Sequence, residues 1–340
     1  MEPIKEPKPL VLVSSSPHMH CGLTISKSMR EVILALVPAV LASVYYFRVD
    51  AVRVIVCCVL SAIIFEKLAN KVMGVKKDTV KDGSAALTGL LLALCLPASL
   101  PSYMAVLGGM FAVVIGKAIF GGLGKNFLNP ALAGRAFLML SYPVAMTTWA
   151  VPGEWAGLVS ASDAVTGATP LSVDFMHSGV LPTASLQDML VGNIGGCMGE
   201  VSAILLLVGG IYLIARGVIR IQVPVAFIGT VAVLTFLFPQ GGNDRLTWML
   251  YELLGGGLFL GAFFMATDYV TSPTTQKGKL VFGIGLGLIT MMIRHFGTMN
   301  EGVSFAILLM NLLVPYIEVL TRQDLLGISK PKKNKGGAAK

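Results

Sequence analysis

The sequence predicts an all-α polytopic membrane protein, with about ten transmembrane helices in two inverted five-helix repeats and several helices broken. Three observations carry this. The 340 residues are 55% hydrophobic and only 13% charged, with mean hydropathy +0.77, whereas a soluble domain is about a quarter charged. Ten apolar runs approach the roughly 20 residues that a helix needs to cross a bilayer. The lysines and arginines, which set a formal net charge of +8, fall mostly in alternate connections, as the positive-inside rule requires.

The runs lie at 29–47, 51–73, 84–97, 102–120, 129–149, 189–215 (apolar core 201–215), 221–238, 248–268, 279–296 and 302–320. Lys27 and Arg30 precede the first. Lys67, Lys71, Lys76, Lys77 and Lys81 lie between the second and third. Lys117, Lys125 and Arg135 bracket the connection from the fourth to the fifth, and Arg216 and Arg220 follow the sixth. Lys277 and Lys279 separate the eighth from the ninth, and Arg322 with a Lys-rich tail follows the tenth. Ten spans with both termini cytoplasmic put all of these on one side. Arg48, Arg53, Arg245 and Arg294 are the exceptions on the other.

The expected organisation follows. A cytoplasmic N-terminal segment occupies 1–28 and the first repeat 29–149. An extracytoplasmic loop spans 150–188, the second repeat 189–320, and a basic cytoplasmic tail 321–340. Five spans per half invert one half against the other, a common way to build a transport path. The third run, LTGLLLALCLPASLP, is short and ends in Pro, as does its counterpart, LFLGAFFMATDYVTSP. Matched interrupted spans point to a site at mid-membrane depth, and ordinary spans with Pro just past their ends explain the same letters.

Composition also excludes. The cations sit at helix ends and in the tail, which indicates topology and attraction to anionic membrane lipid, and no nucleic acid. The five cysteines have no metal-finger spacing, and Cys58, Cys95 and Cys197 are expected to be buried and inert. His18, His20, His177 and His295 show no ligand spacing and receive no role. No run near the N-terminus is long enough for a signal peptide, so the first span is expected to serve as the insertion signal. GGLGKN at 121–126 lacks the preceding strand and the Gly-Lys-Ser/Thr of a phosphate loop. The Gly-rich runs at 121–124, 192–196 and 255–261 suit close helix packing.

Candidate functional residues fall in two groups. Residues 141–190 carry no Lys or Arg, and this stretch contains Asp163-Ala164-Val165-Thr166-Gly167-Ala168-Thr169-Pro170. As local structure, Thr169-Pro170 reads as a helix N-cap followed by Pro at the first helical position. The second group lies in or beside the spans. Asp268, with Thr267, Thr271 and Thr274, is an acidic group among hydroxyls at the end of an apolar run; inside a bilayer it is a functional candidate, and at the interface a solvated helix end. Asn129-Pro130 opens the fifth run. Arg135, a turn further on, pairs with a phosphate or carboxylate or snorkels to the surface. No catalytic or metal-ligating residue is assigned.

The octet at 163–170 resembles the D-x-x-[S/T]-G-A-T acceptor at which a flavin transferase esterifies the phosphate of FMN to a threonine, here Thr169. Together with SSSPHMH, DGSAALTGLLLALCLP, GGLGKNFLNPALAG, MATDYVTSPTTQKGKLVFG and IRHFGTMNEGVSFAILLMNLLVP, it is similar to the D subunits of Rnf complexes over nearly the whole chain. It is similar also to the homologous B subunits of Na⁺-translocating NADH:quinone reductases. Tyr269 departs from a Pro common there, and TRQDLLG at 321–327 from a more basic ending.

The resemblance implies a membrane flavoprotein subunit of an ion-translocating ferredoxin:NAD⁺ oxidoreductase in a prokaryotic cytoplasmic membrane, inactive alone. It implies covalent FMN on Thr169, with Asp163, Thr166, Gly167 and Ala168 forming the acceptor motif. A second, non-covalent flavin, riboflavin, is implied with Asn129, Asp268 and Thr271 in motifs near the flavins. Implied partners are an outward-facing flavin-bearing subunit, iron–sulfur subunits and, during maturation, the flavin transferase. Electron transfer would drive Na⁺ or H⁺ outward. The rival reading is an inverted-repeat channel or transporter without redox chemistry, which leaves the acceptor motif unexplained.

Overall fold

The computed structural model describes residues 24–74, 79–150, 171, 179, 181–182, 184–200, 202–240, 242–297 and 302–322. The acceptor motif, with Asp163, Thr166, Gly167, Ala168 and Thr169, lies outside the described residues. All described elements are helical. They are α1 (Ile25–Val72), a 3₁₀ turn (Thr79–Asp82), α2 (Ser84–Leu94), α3 (Ser102–Val113, continued by a π turn Val114–Ala118), α4 (Pro130–Ser141) and α5 (Pro143–Met146). There follow α6 (Leu186–Val191), a 3₁₀ turn (Met198–Glu200), α7 (Ala203–Ala215), α8 (Gln222–Leu237) and α9 (Arg245–Leu254). Last come α10 (Leu258–Leu260, continued by a π turn Gly261–Met265), α11 (Gln276–Phe296) and α12 (Val303–Thr321).

Lengths and breaks follow from the residues. As one rod, the 48 residues of α1 would reach about 72 Å at 1.5 Å per residue, far beyond a ~30 Å hydrocarbon core. The helix breaks at Arg48 (φ 51°, ψ −123°), between the first two apolar runs. α11 and α12 are long and apolar enough to cross a membrane, and α9 with α10 forms a third candidate bent by 61°. That bend falls at Gly255–Gly257, where Gly256 and Gly257 take φ of 69° and 63°, conformations that only glycine adopts cheaply. The run at 255–261, read from sequence as packing glycine, does pack closely, with Gly261 against Val303, and is a helix break as well; the eighth run is interrupted in its middle as well as at its Pro end. α2, at 11 residues, covers roughly 16 Å and stops ahead of Pro97.

Packing joins the halves. α1 packs on α2, α3 and α7; α3 on α4; α8 and α12 on α11; and α4 on α12. Glycine sets the closest approaches: a β-carbon at Gly209 of α7 would collide with the carbonyl oxygen of Ala35 in α1, and one at Gly89 of α2 would lie 2.7 Å from the carbonyl oxygen of Cys58. One apolar core runs through both halves, with Leu36, Cys58, Leu92, Leu132, Leu213, Phe227, Phe282 and Ile307 in it. Many large apolar side chains on the outer helix faces stay exposed, such as Leu41 at 63% and Val233 at 58%, as lipid-facing surface requires. Cys58, Cys95 and Cys197 are buried, as expected.

Candidate functional site

A cleft opens where the start of α4 meets the chain that follows α10. Its walls include Met29, Ser84, Leu87, Lys117, Asn126, Asn129, Phe263, Phe264, Thr267, Asp268 and Tyr269. Its enclosed space is about 70 Å³, and about 700 Å³ with the open space at its mouth, so only a guest that also fills the mouth would reach the ~300–1,000 Å³ of small-molecule sites. Residues from both halves of the chain line it.

Two of the sequence candidates meet here. Asn129 is the N-cap of α4: its Oδ1 accepts from the N–H of Ala131 at 3.1 Å and of Leu132 at 3.5 Å, ahead of Pro130 at the first helical position. Its Nδ2 donates to the Met265 carbonyl at 3.2 Å. Asn129 thus ties the start of α4 to the π turn of the other half, and its polar atoms are spent there. Asp268 reaches the cleft, and its Oδ2 accepts from the Thr271 hydroxyl at 3.1 Å. Thr271, only 3% exposed, stands behind Asp268 and positions it.

Arg135 goes elsewhere. It is 7% exposed, so it neither snorkels nor marks a membrane surface. It lines a smaller cavity, about 10 Å³ of enclosed space, with Cys95, Cys197, Glu200 and Gly257, where Glu200 supplies a carboxylate.

Four groups of polar residues escaped sequence reasoning. Asn126 is 4% exposed; its Nδ2 donates to the Leu128 carbonyl at 3.0 Å, while its Oδ1 is buried with no donor. Such an orphan acceptor costs about 1–3 kcal/mol unless a ligand or water supplies a donor. Lys117, assigned from sequence to a surface connection, is 2% exposed. The π turn places its Nζ 2.9 Å from each Glu66 carboxylate oxygen and 2.8 Å from Ser84 Oγ. The Thr79 hydroxyl donates to Glu66 Oε1 at 2.8 Å, and Asn70 Nδ2 to Thr79 Oγ1 at 2.7 Å. Asn311 of α12, in the amide orientation that satisfies its neighbours, accepts from the Asn129 N–H and donates to the Thr271 carbonyl, both at 3.2 Å. Finally, Arg294, fully buried, donates to the carbonyls of Glu252 at 2.7 Å and Gly255 at 3.2 Å. It thereby satisfies oxygens released by the glycine break. The Glu252 carboxylate lies 3.7 Å from Arg294 and accepts from Trp248 Nε1 at 2.8 Å. His295, given no role from sequence, bonds Gln240 at 2.7 Å and lies 3.6 Å from Glu252.

The only signals for these groups were a Glu, a Lys and an Arg near apolar runs, which also read as topology charges. Among the described residues no His, Cys, Asp and Glu cluster could hold a metal ion.

A family model described as "NQR2, RnfD, RnfE family" matches residues 12–327. The chain belongs to that family. Members similar to it include the D subunit of the proton-translocating ferredoxin:NAD(+) oxidoreductase complex of Clostridium ljungdahlii, 44% identical over 329 residues, covering 94% of this chain and 97% of that protein. The D subunit of the Na(+)-translocating ferredoxin:NAD(+) oxidoreductase complex of Acetobacterium woodii is 43% identical over 324 residues, 94% of this chain and 96% of its own. The D subunit of the ion-translocating oxidoreductase complex of Cronobacter sakazakii is 37% identical over 345 residues, 93% and 98%. Relatives in the NQR2, RnfD, RnfE family thus match over almost their full lengths.

Proposed function

We propose that the chain is the membrane D subunit of an ion-translocating ferredoxin:NAD⁺ oxidoreductase. In this reading it carries electrons through FMN esterified to Thr169 and through a second flavin, riboflavin, in the cleft at Asn126 and Asp268. It crosses a prokaryotic cytoplasmic membrane about ten times as two inverted five-helix repeats. Both termini face the cytoplasm and the Thr169 loop faces outside. The other subunits of the complex supply the NAD⁺ and iron–sulfur chemistry. Electron transfer drives Na⁺ or H⁺ outward.

The observation that supports the second flavin is the unpartnered Asn126 Oδ1 in the wall of a cleft that both halves of the chain line. An isoalloxazine ring offers the imide N–H that this acceptor lacks. A bound flavin exchanges one or two electrons and so bridges one- and two-electron carriers. The chain's own residues do the rest. Asn126 and Asp268 offer acceptors, with Asp268 held by Thr271. Leu87, Phe263 and Phe264 supply apolar wall that excludes water. Lys117, clamped by Glu66 and Ser84, adds a fixed ion pair at the cleft wall. At Thr169 the hydroxyl loses its proton and gains the flavin phosphoryl group, and the transferase removes the nucleotide leaving group.

The test is in-gel flavin fluorescence of the denatured subunit, co-expressed with a flavin transferase, with peptide mapping. Fluorescence that survives denaturation, maps to Thr169 and disappears in Thr169→Ala is the expected result. A dark band beside an active transferase would overturn the covalent carrier and leave the channel reading.

A further inference from the structure

Beside the cleft lies a second cavity of about 290 Å³, or about 770 Å³ with the open space at its mouth, between the N-terminal ends of α8 and α11. It shares Ile219, Thr267 and Tyr269 with the cleft. Two cations face it, Lys279 partly buried and Arg220 exposed, near enough for their charges to act on one another. Neither is ion-paired among the described residues. Glu318, at the rim, accepts from the Thr274 N–H at 3.0 Å and from its hydroxyl at 2.9 Å. The hydroxyls of Thr267, Ser272 and Tyr269 donate to the carbonyls of Phe263, Asp268 and Val218. The donors left for a guest are therefore the guanidinium and the ammonium. The N-terminus of α8, which no side chain caps, adds partial positive charge.

Two like charges held together without a counter-ion call for an anion. What lies next to them narrows its type. From the cavity onward, α8 and α11 pack on each other and present exposed Ile221 (54%), Val225 (59%), Leu280 (47%), Val281 (50%) and Ile284 (46%). An anionic head that continues directly into apolar tails matches this order of chemistry along the helices; a free phosphate would leave the apolar stripe uncovered. The basic residues Arg216, Arg220, Lys277 and Lys279 also mark this end as the one expected to be cytoplasmic, where leaflets are rich in anionic lipid.

We propose that this cavity is a phospholipid site: the phosphodiester lies between Arg220 and Lys279, and the acyl chains run along α8 and α11. The inference rests on the membrane reading of the chain. It places an anionic headgroup against Thr267 and Tyr269, one wall away from the cleft.

The test uses the intact complex, purified in mild detergent, by native mass spectrometry with phosphatidylglycerol or phosphatidylcholine added. Wild type should retain phosphatidylglycerol in preference to phosphatidylcholine. R220Q/K279Q should retain it on the order of thirtyfold less, with unchanged subunit composition. K277Q, outside the cavity lining, should behave as wild type. Equal retention by R220Q/K279Q would overturn the proposal. So would displacement of the lipid by millimolar inorganic phosphate, which would mark a free-anion site. A photo-crosslinker at Leu280 that captures another subunit instead of lipid would also overturn it, because the stripe would then be a protein interface. Alkaline carbonate extraction separates the premises: a chain stripped from vesicles sinks the membrane reading itself, whereas a retained chain that fails the lipid test sinks only this site.

Discussion

Replacing Lys117 with Met tests the buried pair at the cleft wall. The Nζ of Lys117 makes three contacts of 2.8–2.9 Å, two to Glu66 and one to Ser84, and both charged side chains are 2–3% exposed. Lys117→Met leaves the Glu66 carboxylate buried with the Thr79 hydroxyl as its remaining hydrogen-bond donor. Breaking a buried pair from one side costs about 3–5 kcal/mol, whereas replacing both partners with apolar residues of similar volume is often neutral. At about 2 °C per kcal/mol for a chain larger than 150 residues, the single variant should lower the apparent melting temperature by roughly 6–10 °C. The double variant Glu66→Met/Lys117→Met should recover most of that loss. Detergent-solubilised subunit followed by tryptophan fluorescence gives the readout. If the double variant falls as far as the sum of the two singles, the charges do not hold one another and the reasoning is wrong.

Other expectations follow from single contacts. Gly89→Ala puts a β-carbon 2.7 Å from the Cys58 carbonyl and 2.8 Å from Val59 Cα; both are backbone atoms, so overpacking of about 1–3 kcal/mol should appear as a lower melting temperature, and an unchanged one would refute the close approach. Asn126→Ala removes the orphan acceptor and should cut acid-extractable, non-covalent flavin about tenfold while leaving the covalent band untouched; full occupancy would remove Asn126 from the site. Arg294→Lys cannot span both carbonyls of the glycine break and should cost about 1–3 kcal/mol, seen as faster thermolysin cleavage before Leu258, between α9 and α10. By contrast, Arg216→Gln breaks only the Arg216–Glu31 pair, whose arginine is half exposed, and should shift stability by less than about 1 kcal/mol.

The helices were legible because burial in lipid demands long apolar runs, and each run holds a helix or a helix pair. The break at Arg48 was marked by a charged residue between two runs. The break at Gly255–Gly257 was not, because glycine serves equally to pack helices and to end them, and only the positive φ values decide. The cleft was legible in part. Asn129 and Asp268 stood out as polar residues beside apolar sequence, and the fold brings them together. Asn126, three residues from Asn129, carried no signal of its own. Lys117 was misread as a surface cation because a one-dimensional count cannot tell a lysine at a helix end from one whose π turn aims it at a glutamate 51 residues away; Arg135, left open between a buried pair and the surface, is buried. Arg135 and Asn129, a turn and a half apart on one helix, serve different cavities for the same reason: rotation about α4 is not visible in spacing until its neighbours are known.

The bonds from Asn129 to Met265 and to Asn311 cross from the first half of the chain into the second at the cleft itself, and Asn311 is held in turn by the Thr271 carbonyl. A rocking motion that separated the halves here would have to break both together. A transporter that opens by parting its halves has its substrate site at a joint that gives way; this joint is sewn shut. A redox centre seated against it would keep a constant distance to its neighbours in the relay, as the wire needs even when an ion must move. Any gating that accompanies ion movement is then to be sought away from this seam, where helices slide on apolar surface and no side-chain amide spans the gap.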